Sequence, residues 1–132
     1  MKPPPFIYHD PSTVAEALEI LSGNDNARLL AGGQSLMPML AMRFVLPDDV
    51  IDINNIAELA GIEETATGLR IGAMTRQRDI EFSDVVQQHC PLMSEAILQV
   101  GHRPTRNRGT LGGSMAHLDP SAELPTVAMA TD

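Results

Sequence analysis

The sequence predicts a mixed α+β fold built from two small subdomains, residues 1–57 and 58–132. Three observations carry this expectation. Between residues 27 and 52 an apolar run, a glycine turn, a helix-like segment and a second strand-like run follow in the order of a strand–helix–strand unit. After residue 57 the pattern changes to a hairpin followed by helical periodicity. The 132 residues are 43% hydrophobic, which suffices for a packed core and argues against disorder.

In "DPSTVAEALEILSG", Thr13 and Glu16 have the spacing of a capping box, and Val14, Ala17, Leu18 and Leu21 form one apolar stripe. Gly23 is placed to end that helix. "ARLLA" reads as a short buried strand, and "SLMPMLAMRF" as a helix opening near Ser35. Pro38 is tolerable there because it falls in the first turn. "DDVIDI" reads as the second strand of the unit. "GIEETATGLRIGAMT" predicts a hairpin turning near Thr67 and Gly68. "TRQRDIEFSDVVQQHCPLMSEAILQVG" is mostly helical, broken at Pro91 and closed by Gly101. "HRPTRNRGTLGGSMAHLDPSAELP" shows no steady period, and long irregular segments inside compact domains are usually functional. A last helix restarts in "SAELPTVAMATD".

Composition excludes several classes. No apolar run approaches the ~18–20 residues of a membrane span. The proline-rich start "MKPPPFIYHD" lacks the apolar core of a secretory signal. The single cysteine, Cys90, forms no internal disulfide and no cysteine-based cluster by itself; it reads as a structural thiol. Together these point to the cytoplasm. A net charge of −8 disfavours nucleic acid and anionic lipid as partners. The charge reverses locally: residues 97–118 hold Arg103, Arg106 and Arg108 and no acid. That stretch reads as a contact for an anion or a partner subunit, or as a solvated loop.

The chemistry lies in two glycine turns. Glycine lets backbone N–H groups face a ligand without a Cβ in the way, and a helix start adds partial positive charge. "AGGQS" places Gly32 and Gly33 after a strand and before Ser35; "GTLGGS", residues 109–114, repeats the theme. Neither is a standard nucleotide signature, and either alone is also explained as a close structural turn. Two of them, about 80 residues apart, suit a pyrophosphate gripped from two sides. Asp119 and Glu123 follow; Asp119 is either the N-cap of a helix beginning at Pro120 or, with Glu123, an acceptor for ligand hydroxyls. His117 reads as a turn residue or as a neighbour of a redox group. His9, His89 and His102 are too scattered for a metal site, and Met37, Met39 and Met42 read as core filler.

"AGGQSL" followed some 75 residues later by "RNRGTLGGSMAHLDPSAELP" resembles the FAD-binding (medium) subunit of molybdenum hydroxylases, the carbon monoxide dehydrogenase and xanthine dehydrogenase type. "FIYHDPSTVAEALEIL" and "IGAMTRQRDIE" fit the same pattern, so the resemblance spans the chain. It implies the vanillyl-alcohol-oxidase-like (PCMH-type) FAD-binding fold, two α+β subdomains with FAD between them. It implies FAD contacts from Leu29, Leu30, Ala31, Gly32, Gly33, Gln34, Ser35 and Leu36, and from Thr110, Leu111, Gly112, Gly113 and Ser114. It places Val100 and Gly101 near the flavin ring, Glu123 at an acidic position used for FAD, and Asp119 in the approach to that position, so both count among the FAD-binding candidates.

The implied role is that of an oxidoreductase subunit for electron transfer. The molybdenum cofactor would sit on a large partner subunit and the [2Fe–2S] clusters on a small one, and electrons would leave from the flavin to an external acceptor. Such subunits are about twice as long, so the second subdomain is expected to be truncated at Asp132. An exposed sheet edge would then favour self-association. Two alternatives stay open: a non-catalytic interaction module on the same scaffold that binds no flavin, and an unrelated phospholigand enzyme with converged turns.

Overall fold

The computed structural model describes residues 1–131, and the chain divides into two compact units, Met1–Ala57 and one that begins at Glu58. The first unit is a three-stranded parallel sheet of order β1-β3-β2, with β1 at Ile7–His9, β2 at Ala27–Leu30 and β3 at Asp49–Asp52. The central strand is covered on both faces, so Val50 and Ile51 are fully buried. Its two carboxylates survive there by partnering β1 and the following turn. His9 Nε2 lies 2.6 Å from Asp49 Oδ1, and the Tyr8 hydroxyl donates to Asp52 at 2.7 Å. The three-residue strand β1 has no counterpart in the sequence reading, because so short an edge strand carries no alternation of its own.

Helix α1, Val14–Ser22, forms as its capping box dictates. Glu16 N donates to Thr13 Oγ1 at 3.2 Å, and Thr13 N donates back to Glu16 Oε2 at 3.3 Å. Only Ala17 of the expected stripe is buried, and Leu18 is 57% exposed, so α1 lies on its sheet by a narrower edge than its pattern suggests. Thr13→Ala removes one side of the box and is expected to cost about 1 kcal/mol, read as a lower urea midpoint with unchanged slope.

Strand β2 is likewise an edge strand, with Arg28 exposed and Leu29 46% exposed, and not the fully buried run its composition implies. Helix α2 is shorter than expected, Leu36–Ala41. It stops because Arg43 turns left-handed at φ 58° and Phe44 N returns to Met39 O.

The second unit opens with an antiparallel hairpin, β4 (Ile62–Thr65) and β5 (Gly68–Ile71), closed by Ala66 and Thr67. The long helical segment is three helices: α3 (Gln77–Glu81), α4 (Asp84–His89) and α5 (Pro91–Ile97). Ser83 separates the first two by accepting from Val86 N, and Pro91 opens the third instead of merely breaking a helix. The stretch read as irregular contains α6 (Arg103–Arg108) and α7 (Leu111–His117), each under two turns, too short for a periodic signal. Helix α8 spans Glu123–Thr131. Its Leu124 and Val127 join Ile80, Val86, Met93 and Ile97 in one buried cluster.

Candidate functional site

The first glycine loop connects β2 to α2 and carries Leu29–Leu36. Leu29 and Leu30 end the strand, Ala31–Gln34 form the bend, Ser35 is the N-cap and Leu36 begins the helix. The carbonyls of Leu30 to Gly33 are consumed internally. Leu30 O accepts from Ile53 N at 3.1 Å, and Ala31 O from Asn54 Nδ2 at 2.9 Å. Gly32 O accepts from Gln34 Nε2 at 3.2 Å, and Gly33 O from Met37 N at 3.1 Å. Among the described residues, the amides of Gly32, Gly33, Gln34 and Ser35 donate to nothing. A loop with most of its acceptors spent and its donors free presents net positive potential.

Gly33 sits at φ +73°, a conformation an L residue enters at a cost, and a Cβ there would lie 3.1 Å from Met37 Cγ. Helix α2 has only six residues, so the loop's own amides, more than a long helix dipole, supply the attraction. This donor set fits a diphosphate. Asn54, which pins the bend through Ala31, is the supporting residue that sequence reasoning missed; the Asn-Asn pair after β3 was its only signal.

The second glycine stretch differs from its expectation as a bare-amide turn. Gly112 and Gly113 lie inside α7, whose N-cap Thr110 is 2% exposed. Every amide at that end is already bonded: Leu111 N to Thr75 O at 3.1 Å, Gly112 N to Ala73 O at 2.8 Å, and Gly113 N to Thr110 Oγ1 at 3.1 Å. Ser114 N closes the turn on Thr110 O at 3.2 Å. What remains for a ligand is the half-buried surface of Gly112, Gly113 and Ser114, including the Ser114 hydroxyl. Leu111 packs against the buried cluster.

Val100 and Gly101 form the corner between α5 and α6, with Val100 against the core and Gly101 exposed at φ +47°. Asp119 does not cap a helix at Pro120. It closes the turn before α8 by accepting from Ser121 N at 2.9 Å and Ser121 Oγ at 2.7 Å, and these bonds, with nearby His117, hold its carboxyl below the ordinary range. Glu123 is the first residue of α8, half-buried, and its carboxylate has no partner among the described residues.

Among the three arginines read as one basic surface, Arg106 is buried. Its guanidinium grips Glu81, Nε to Oε2 at 2.8 Å and Nη2 to Oε1 at 3.3 Å. Hydrogen bonds from Arg106 hold the Glu81 carboxyl below its ordinary value. A group depressed in the folded state contributes stability above its unfolded value and loses it as pH falls through the folded one. The urea midpoint is therefore expected to drop as pH falls below about 4, and Glu81→Gln to flatten that acid limb.

A family model described as the FAD binding domain in molybdopterin dehydrogenase matches residues 4–132. The chain is 45% identical over 130 residues to the glyceraldehyde dehydrogenase medium chain of Sulfolobus acidocaldarius, covering 98% of this chain and 46% of that one. It is 46% identical over 134 residues to the carbon monoxide dehydrogenase medium chain of Hydrogenophaga pseudoflava, covering 100% and 46%.

Among solved structures, carbon monoxide dehydrogenase from Hydrogenophaga pseudoflava lacking the Mo-pyranopterin moiety superposes with a TM-score of 0.96 at 46% identity, over 98% of this chain and 46% of that one. Quinoline 2-oxidoreductase from Pseudomonas putida 86 superposes with a TM-score of 0.92 at 41% identity, over 95% and 44%. The chain thus spans about half the length of the relatives it matches. Among the described residues no helix is long and apolar enough to cross a membrane, and no group of His, Cys, Asp and Glu is arranged to hold a metal.

Proposed function

The chain belongs to the family of FAD-binding domains in molybdopterin dehydrogenases, and from that premise we propose that it is the flavin-holding part of a multi-subunit molybdenum hydroxylase. One observation carries the reading on this chain: four consecutive amides, Gly32–Ser35, that are unbonded among the described residues, in a loop where the carbonyls of Leu30 to Gly33 are engaged. Such a donor row binds a diphosphate without a lysine.

In this reading Leu29–Leu36 hold the FAD diphosphate and Thr110–Ser114 offer it a close-approach surface. Val100 and Gly101 lie beside the flavin ring, and Asp119 and Glu123 serve ligand hydroxyls. The free Glu123 carboxylate suits that role better than Asp119, whose Oδ1 is occupied by Ser121. Bound here, FAD would supply two-electron redox chemistry between [2Fe–2S] clusters on a small partner subunit and an external acceptor. Substrate oxidation belongs to a molybdenum-bearing large subunit.

A second reading, the same scaffold without flavin, draws on the closed amides of α7. The visible spectrum of the purified protein separates the two. The flavin absorption band, with release of FAD on denaturation, is expected; a protein that shows no band and takes up no added FAD rejects the flavoprotein reading.

A further inference from the structure

We infer that Arg106, held by Glu81, is a positioning residue for the corner Val100–His102, and that it leaves the amides of Gly101 and His102 turned outward as donors for an acceptor edge of the flavin ring. The inference rests on the proposed placement of Val100 and Gly101 beside that ring. Arg106 is 7% exposed, and it spends the donors left over from Glu81 on two consecutive carbonyls, Nη1 to Val100 O at 3.0 Å and to Gly101 O at 3.3 Å.

Both peptides are trans, and in a trans peptide the N–H points opposite to the C=O. Drawing both carbonyls onto the guanidinium therefore sends the N–H of Gly101 and of His102 to the other side. Neither amide donates to any group among the described residues, and both residues are exposed.

For stability alone the pair is a poor device, since a buried ion pair is often replaceable by apolar side chains without loss. What an apolar pair does not do is hold two neighbouring peptide planes in one orientation. Because Glu81 neutralises the guanidinium, Arg106 orients the amide dipoles of the corner without adding a net charge of its own. Two adjacent N–H groups match the ring nitrogen and carbonyl oxygen neighbours of an isoalloxazine. Gly101, at φ +47° and with a Cβ position only 3.3 Å from Thr105, is the residue that lets the chain turn this tightly.

The test uses the full-length protein as isolated with its flavin. Arg106→Gln is expected to weaken flavin retention about tenfold, the worth of one or two hydrogen bonds. It is also expected to lower the flavin reduction potential, because outward N–H groups favour the electron-rich reduced ring. Arg106→Lys keeps the charge opposite Glu81 but not the donors that hold both carbonyls, and is expected to move both quantities the same way by less; it serves where Arg106→Gln does not fold. A lower unfolding midpoint with unchanged retention and potential assigns the pair a structural role only and overturns the inference.

Hydrogen exchange on the wild-type protein separates this from the parent reading. Added FAD is expected to slow exchange at Gly32–Ser35 and also at Gly101 and His102. Protection of the first set alone overturns the inference and leaves the flavin reading standing; protection of neither overturns both.

Discussion

Gly112→Ala is expected to destabilise the second unit by about 2–3 kcal/mol, with or without flavin. A Cβ at this position would lie 2.6 Å from Ala73 Cβ and 2.9 Å from Ala73 O. The obstruction is largely main chain, and Gly112 N is itself bonded to Ala73 O at 2.8 Å, so relief means separating the start of α7 from the segment it docks on. Leu111 N to Thr75 O would be stretched by the same movement. The measurement is the urea midpoint of the flavin-free protein. Ala73→Gly in the same chain removes the nearest obstacle and is expected to recover part of the loss. A Gly112→Ala protein of unchanged stability that has lost its flavin would show instead that the glycine is reserved for the ligand.

Gly33→Val is expected to reduce flavin retention on the order of a hundredfold or more, the cost of losing hydrogen bonds from two amides to a charged phosphate. Valine at φ +73° costs roughly 1–3 kcal/mol. The branched side chain also meets Met37 Cγ, which a bare Cβ already approaches to 3.1 Å. The easiest escape is a change in φ, which turns the Gly33 and Gln34 amides away from their common direction. Gly33→Asn, which tolerates the left-handed conformation better, is expected to retain more flavin than the valine variant. Flavin content is read from the visible band of the purified protein. A full band in Gly33→Val rejects the assignment of this loop.

These two glycines look alike in sequence and have different reasons to be glycine. Gly33 is a conformational requirement inside an open loop, whereas Gly112 is a close approach inside a helix. "AGGQS" and "GTLGGS" were legible as a pair because each places small residues next to a hydroxyl. Nothing local distinguishes a turn with free amides from a helix start capped by its own threonine. Thr110 accepting from Gly113 N is a local bond, but the amides of Leu111 and Gly112 are consumed by Thr75 and Ala73, more than thirty residues away in sequence.

The sequence by itself determined what depends on short spacing and on family motif. The capping box of α1, the β2–α2–β3 unit, the hairpin and the membership of an FAD-binding family are all of that kind, because bonds at i, i+3 and i+4 and side-chain periodicity are written along the chain. Only the tertiary structure decided that Arg106 is buried against Glu81, that Asp119 closes a turn on Ser121, and which glycine amides stay unbonded. A donor is free or spent according to whether an acceptor from elsewhere in the chain reaches it, and that proximity exists only once the chain has folded.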